Sequence, residues 1–260
     1  MLAMLAPGGR LGCNPPKRGE SKACCITPNV PIERPDPATY SQRRALQAGQ
    51  TPSWDSPDVL TNSWGPFALL PETKVTVRNL STTVSAANVQ VALASSAFGI
   101  GMPKTPLSSV SVSLAPLGLA ELVFPLSQAL LNGDQRICIF VKIIHAADID
   151  PSNNEGGQSV TGGQTSVTGR TIEFDIPVRN ESNQSRTMNF ITFANALSFA
   201  VSPTAHSFAP LEQIIVKGRI KVAPGIHASP DWIEQTATMA ALDAGGGLVG
   251  GMTYVVKIDD

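Results

Sequence analysis

The sequence predicts an all-β chain: two tandem immunoglobulin-like β-sandwiches preceded by an extended, irregular N-terminal arm. Three observations carry this. From Trp54 onward, short β-branched runs alternate apolar and polar residues with period two, as half-buried strands do. Turn residues recur every 8–12 residues, with no helical pattern between the runs to build βαβ units. A short motif then returns after 101 residues, close to the roughly 100-residue length of one immunoglobulin-like domain.

Residues 1–50 form the arm. They hold seven prolines, at positions 7, 15, 16, 28, 31, 35 and 37, whose missing N–H groups and fixed φ oppose helix and central strand alike. One helical turn is expected near Ser41–Gln47. The arm carries seven Lys/Arg against three acidic residues, while the whole chain has a formal net charge of −1. A basic arm on an acidic body can dock on an acidic neighbour, including another copy of the chain. Arg34, Tyr40, Arg43 and Arg44 are the candidate arm contacts. Cys13, Cys24 and Cys25 also lie here, and a bond from Cys13 to one of the vicinal pair would staple the arm.

Residues 51–164 form the first sandwich. Its strands are read at Lys74–Asn79, Asn88–Leu93, Val110–Leu114, Ala120–Phe124 and Arg136–Ile144. Cys138, inside the apolar run Ile137–Val141, reads as a small buried hydrophobe. The Gly-, Ser-, Thr- and Asn-rich stretch 153–170 reads as the boundary. Residues 165–260 form the second sandwich, with strands at Phe174–Ser182, Thr187–Phe193, Leu197–Val201, Gln213–Val222, Thr236–Leu242 and Met252–Ile258. Val75-x-Val77-Arg78-Asn79-x-Ser81 in the first matches Ile176-x-Val178-Arg179-Asn180-x-Ser182 in the second. Pro177 stands where the first repeat has Thr76, so its strand must lie at an edge or carry a bulge. The glycine-rich run Gly245–Gly251 reads as a hairpin, because no Lys-Ser/Thr follows to make a phosphate loop.

Ser56-Pro57-Asp58-Val59 at the first strand, Val75-x-Val77-x-Asn79-x-Ser81 at the second and Asp148-Ile149-Asp150-Pro151-Ser152-Asn153-Asn154-Glu155 late in the domain are short motifs. Over residues 54–165 they resemble the CARDB-type bacterial adhesion-related domain, an immunoglobulin-like fold. Ser81 stands where that family usually has Gly. The resemblance implies a non-catalytic module of surface, secreted or multidomain bacterial proteins.

Charged residues make up 15% of the chain against the usual ~25%, leaving a surface of Ser, Thr, Asn, Gln and Gly. The charge balance carries no nucleic-acid signature, and no apolar run approaches the ~20 residues of a membrane span. Asp148, Asp150, Asn153 and Glu155 offer oxygen ligands suited to calcium. Counted from Asp148, however, the EF-hand's sixth position is Asn153 instead of Gly and its twelfth is Ser159 instead of Glu. Asx turns in a hairpin loop explain the segment more simply. Asn79 and Asn180 end matching strands and read as turn chemistry, although both fall in N-x-S sequons, as does Asn183. Trp54, Trp64 and Trp232 read as plugs under loops, with sugar stacking as the alternative. His145, His206 and His227 stand apart from any metal spacing, and no G-x-S-x-G elbow is present.

The function expected is a non-catalytic structural or assembly subunit of a bacterial surface, filamentous or phage-like particle, extracellular or particle-associated, with no cofactor other than the calcium candidate. Its partners would be copies of itself or other subunits of an assembly. The alternative is an adhesion or carbohydrate-binding module of a secreted protein.

Overall fold

A computed structural model describes residues 33–62, 69–134, 136–165, 171–194, 197–222 and 233–258. The fold is all-β, with two sandwiches. In the first, β2 (Val59–Asn62) and β6 (Leu119–Pro125) flank β3 (Leu69–Asn79). The facing sheet runs in the order β5 (Thr105–Leu114), β4 (Ala86–Ala97), β7 (Ile137–Ile144), β8 (Glu155–Gln158). The alternation read from the sequence sets the burial: Val75 and Val77 face the core while Lys74, Thr76 and Arg78 stay partly exposed. On β7, Ile139, Val141 and Ile143 join the first core. Cys138, one face over, joins the core of the second sandwich instead. That is why Ile137–Val141 reads as a continuous apolar run: this end of the strand is covered on both faces. A short helix, α2 (Gln128–Leu131), and a single 3-10 turn, Pro151–Asn153, lie in the connections.

In the second sandwich, β10 (Thr171–Arg179), β14 (Gln213–Val222) and β12 (Leu197–Ser202) form one sheet. The other runs β13 (Ala205–Phe208), β11 (Arg186–Ala194), β15 (Ile233–Asp243), β16 (Leu248–Ile258), β9 (Val160–Thr165). All its pairings are antiparallel except β9 against β16. The hairpin at Gly245–Gly247 turns on Asp243, whose Oδ1 accepts from the N–H groups of Gly245 and Gly247.

The duplicated strands differ as Pro177 requires. In the first sandwich the N–H of Thr76 donates outward to the Asp58 carbonyl at 2.8 Å. Pro177 has no such group, and β10 is the edge of its sheet. That edge is covered by a segment of the first sandwich. Ile100 N donates to Pro177 O, and Arg179 N donates to Ile100 O, both at 2.9 Å. Phe98 and Ile100 then contribute to the second core.

Residues 33–50 are built into this body. Pro37 and Ala38 form β1, paired antiparallel with Asn79 and Arg78. A proline fits there because an edge strand can lack one donor. The helical turn expected near Ser41–Gln47 is α1 (Gln42–Gln47), N-capped by the Ser41 hydroxyl, which accepts from Arg44 N. Gln42 is buried and donates through Nε2 to Gly157 O at 2.6 Å and Ser53 O at 2.9 Å, which fastens α1 to β8. Trp54 is 4% exposed and wedges between the sandwiches. Its backbone N–H donates to Thr253 Oγ1 at 2.8 Å, and its backbone carbonyl accepts from Ser159 N at 2.9 Å. Thr253 N donates in turn to Ser159 O at 3.0 Å.

Candidate functional site

The outer face of the β5–β4–β7–β8 sheet is partly uncovered beside this junction. Cross-strand register sets Ala94, Phe140 and Gly157 in one row and Ala92, Lys142 and Glu155 in the next. Alanine and glycine on either side of Phe140 leave a trough instead of a flat surface. At Gly157 a Cβ would stand 3.1 Å from the Phe140 ring, so a larger residue would press on the ring. Neighbouring Gly156 is pressed against the Tyr40 carbonyl, with no room for a side chain. Arg43 on α1, Lys104 and Pro106 near the start of β5, and Leu248–Gly250 on β16 wall the trough into a cavity of about 380 Å³.

The floor is apolar and the rim is cationic. Lys104 Nζ sits 4.4 Å from the centroid of the Phe140 ring, a cation–π contact. Lys142 pairs with Glu155 at 3.0 Å. Burial pushes the Glu155 carboxyl up. The Lys142 hydrogen bond and the charges of Lys142, Lys104 and Arg43 outweigh this, and its pKa falls below the ordinary value. Three cations therefore surround one carboxylate, and among the described residues Arg43 and Lys104 form no ion pair.

The structure separates the predicted arm contacts. Arg34 is exposed. The Tyr40 hydroxyl accepts from Ser53 N at 2.8 Å, and burial raises its pKa. Arg44 lies 3.6 Å from Asp150. Arg43 alone reaches the cleft. Tyr40 and Arg44 are thus engaged by their own chain.

The oxygen-rich loop is likewise divided. Asp148 accepts from Asp150 N and from the Asn154 amide, and Asp150 Oδ1 accepts from Ser152 N. These are Asx-type turns. Asn153 Nδ2 donates to Asp36 at 2.8 Å. Glu155 belongs to the cleft, paired with Lys142. Among the described residues, no group of three or more His, Cys, Asp or Glu is arranged to hold a metal ion.

Cys138 is buried, and its thiol lies 2.9 Å from Ser159 Oγ, with burial raising its pKa. His145 Nε2 meets the Ala87 carbonyl, and His206 Nε2 meets Glu212. Cys13, Cys24, Cys25, Trp64, Trp232 and His227 lie outside the described residues.

Lys104, Phe140 and Lys142 carry no motif that marks them in the sequence. Strand parity was the available signal: if Ile139, Val141 and Ile143 face inward, Phe140 and Lys142 share the opposite face.

No protein-family model matches the chain, and no curated protein matches it. Among solved structures, Escherichia coli alpha-2-macroglobulin activated by porcine elastase matches at 7% identity and TM-score 0.29, covering 87% of this chain and 22% of that one. A mutant of the SrpA adhesin from Streptococcus sanguinis matches at 20% identity and TM-score 0.27, covering 38% of this chain and 53% of that one. A protein of unknown function from Porphyromonas gingivalis matches at 12% identity and TM-score 0.26, covering 74% and 94%. This chain thus spans under a quarter of the alpha-2-macroglobulin chain. The fold assignment rests on this chain's own strand pairing.

Proposed function

We propose that the chain is a non-catalytic structural subunit that associates with its neighbours in an extracellular or particle-type assembly. The observation that carries this is β5. Thr105–Leu114 is the outer strand of its sheet, ten residues long, mostly exposed and without a charged side chain. Natural edge strands are guarded by charges, prolines or bulges. Pro106 and the irregularity at Leu107 interrupt the start of β5, and Ser108–Val112 beyond them pairs in regular register and carries no charge, an edge open to strand addition. Residues 1–32 add charge complementarity: four Lys/Arg stand against one acid, where the rest of the chain is net acidic. The CARDB-type resemblance of residues 54–165 fits a module of this class.

Because residues 33–50 are built into the body, truncation at Gln50 would remove β1 and α1 and damage the fold. The informative boundary is Glu33. Light scattering of the full 27.3 kDa chain should give a mass above the monomer. The chain starting at Glu33, or a Ser109→Lys variant on β5, should return it toward the monomer. A full chain that stays monomeric at high micromolar concentration would sink this reading. The junction cleft favours a second one, a ligand-binding module of adhesion type.

A further inference from the structure

We infer that the junction cleft binds a small carboxylate-bearing ligand with an apolar face. The cavity of about 380 Å³ falls at the lower end of the ~300–1,000 Å³ typical of small-molecule sites. That is room for one ring with its carboxylate, not for a long chain. Its lining comes from seven separate stretches of sequence, and three of them are fastened independently: α1 through buried Gln42, β8 through its pairing with β7 and the Gly156–Tyr40 contact, and β16 through its pairing with β15. The cleft is therefore preformed, and a ligand would not have to organise it.

Charge selects the ligand. Arg43, Lys104 and Lys142 face a single carboxylate, Glu155, which leaves an excess of two positive charges in the lining. Glu155 satisfies Lys142. Arg43 and Lys104 remain for an incoming anion. Lys104 is held over the Phe140 ring, so its ammonium stays at the cleft instead of ranging into solvent. Phe140, Pro106, Leu248 and Val249 supply the apolar surface for the ligand's body. A neutral sugar would leave both cations unpaired, and an inorganic anion would leave the apolar floor bare. The shared chemistry has two sources, an acidic sugar and an apolar ring carboxylate.

Saturation-transfer NMR on the full chain, with glucuronate and benzoate as probes and glucose and benzyl alcohol as their neutral counterparts, tests this. At least one carboxylate is expected to bind at millimolar concentration and to weaken as salt is raised, while both neutral compounds stay silent. Binding of glucuronate alone identifies the sugar acid, and binding of benzoate alone the apolar carboxylate. Arg43→Ser with Lys104→Ser, both at exposed positions, should weaken binding roughly fivefold or more. Glu155→Gln removes the internal competitor and should tighten it, which a purely structural role for that residue would not do. Lys74→Ser, on β3, should change nothing. Silence from both carboxylates, equal binding of the neutral compounds, or indifference to the cleft variants would overturn the inference.

Discussion

The ring of Trp54 occupies the space where a side chain on Gly251 would stand. A Cβ at that position would also collide with the Met239 carbonyl, and backbone cannot yield as a side-chain tip can. This contact and the Trp54–Thr253 hydrogen bond join the stretch before the first sandwich to the last strand of the second. Gly251→Ala should therefore cost about 2–3 kcal/mol as an overpacking change. Urea unfolding read by tryptophan fluorescence checks it. A loss within the measurement error would mean that the wedge is not held as described.

Asp58 is 2% exposed and grips both terminal nitrogens of Arg78 while accepting from Tyr40 N at 2.6 Å. The hydrogen bonds that Arg78 donates to Asp58 are the main cause raising the Arg78 pKa. The same carboxylate thus ties β3 to the entry of α1. Asp58→Ala should cost about 2 kcal/mol, less than a fully buried pair, because Arg78 remains partly in solvent. The loss should also appear locally, as faster amide exchange over residues 37–47 than over β3. Uniform exchange would indicate that the segment is held by its other contacts.

Asn79 and Asn180 perform the same task in the two sandwiches. Asn180 Nδ2 donates to the carbonyls of Gln184 and Ala209, and its Oδ1 accepts from Ser182 N. Asn79 does the same with Val84, Ala115 and Ser81. They are 1% and 0% exposed, so in the folded chain the amides are closed to glycan attachment. Asn180→Ala leaves two carbonyls and one N–H short of a partner, Asn79→Ala leaves the Asp36 N–H short as well, and either change should cost about 3 kcal/mol. The sites lie in separate sandwiches, so the double variant should lose the sum. Thermal or chemical melts of the three variants test both statements, and a strongly sub-additive double variant would contradict the separation.

These asparagines also show what sequence could carry. Alternation and the repeated motif mark strands such as β3, β4, β10 and β14, because each buries one face along its length. β8 and β9 lie in the stretch that reads as the domain boundary, since Gly156, Gly157, Gly162 and Gly163 carry no alternation. Gly156 owes its identity to the Tyr40 carbonyl, which is remote in sequence, so no local pattern could announce it. Pro35 and Pro37 read as arm for a similar reason: the sequence forbids a central strand but cannot show that a two-residue edge will be pinned by Asn79 and Arg78. The cleft was the least legible feature, because its cations become neighbours only through strand register.

Asp36 supplies a pH signature. Partial burial, with Asp148 and Asp150 nearby, raises its pKa above the ordinary 3.8 despite the Asn153 amide and Arg44. Between 3.8 and that raised value the folded state holds more protons than the unfolded one. Stability attributable to this group therefore falls as pH rises through the window and stays lower above it. Asp36→Asn removes the charge and keeps an oxygen to accept from Asn153 Nδ2. The variant should melt higher than the parent at neutral pH, and the gap should close as pH falls below the ordinary carboxylate value. Paired melts across that range decide it. A gap independent of pH would show that the charge of Asp36 is not what the fold resists.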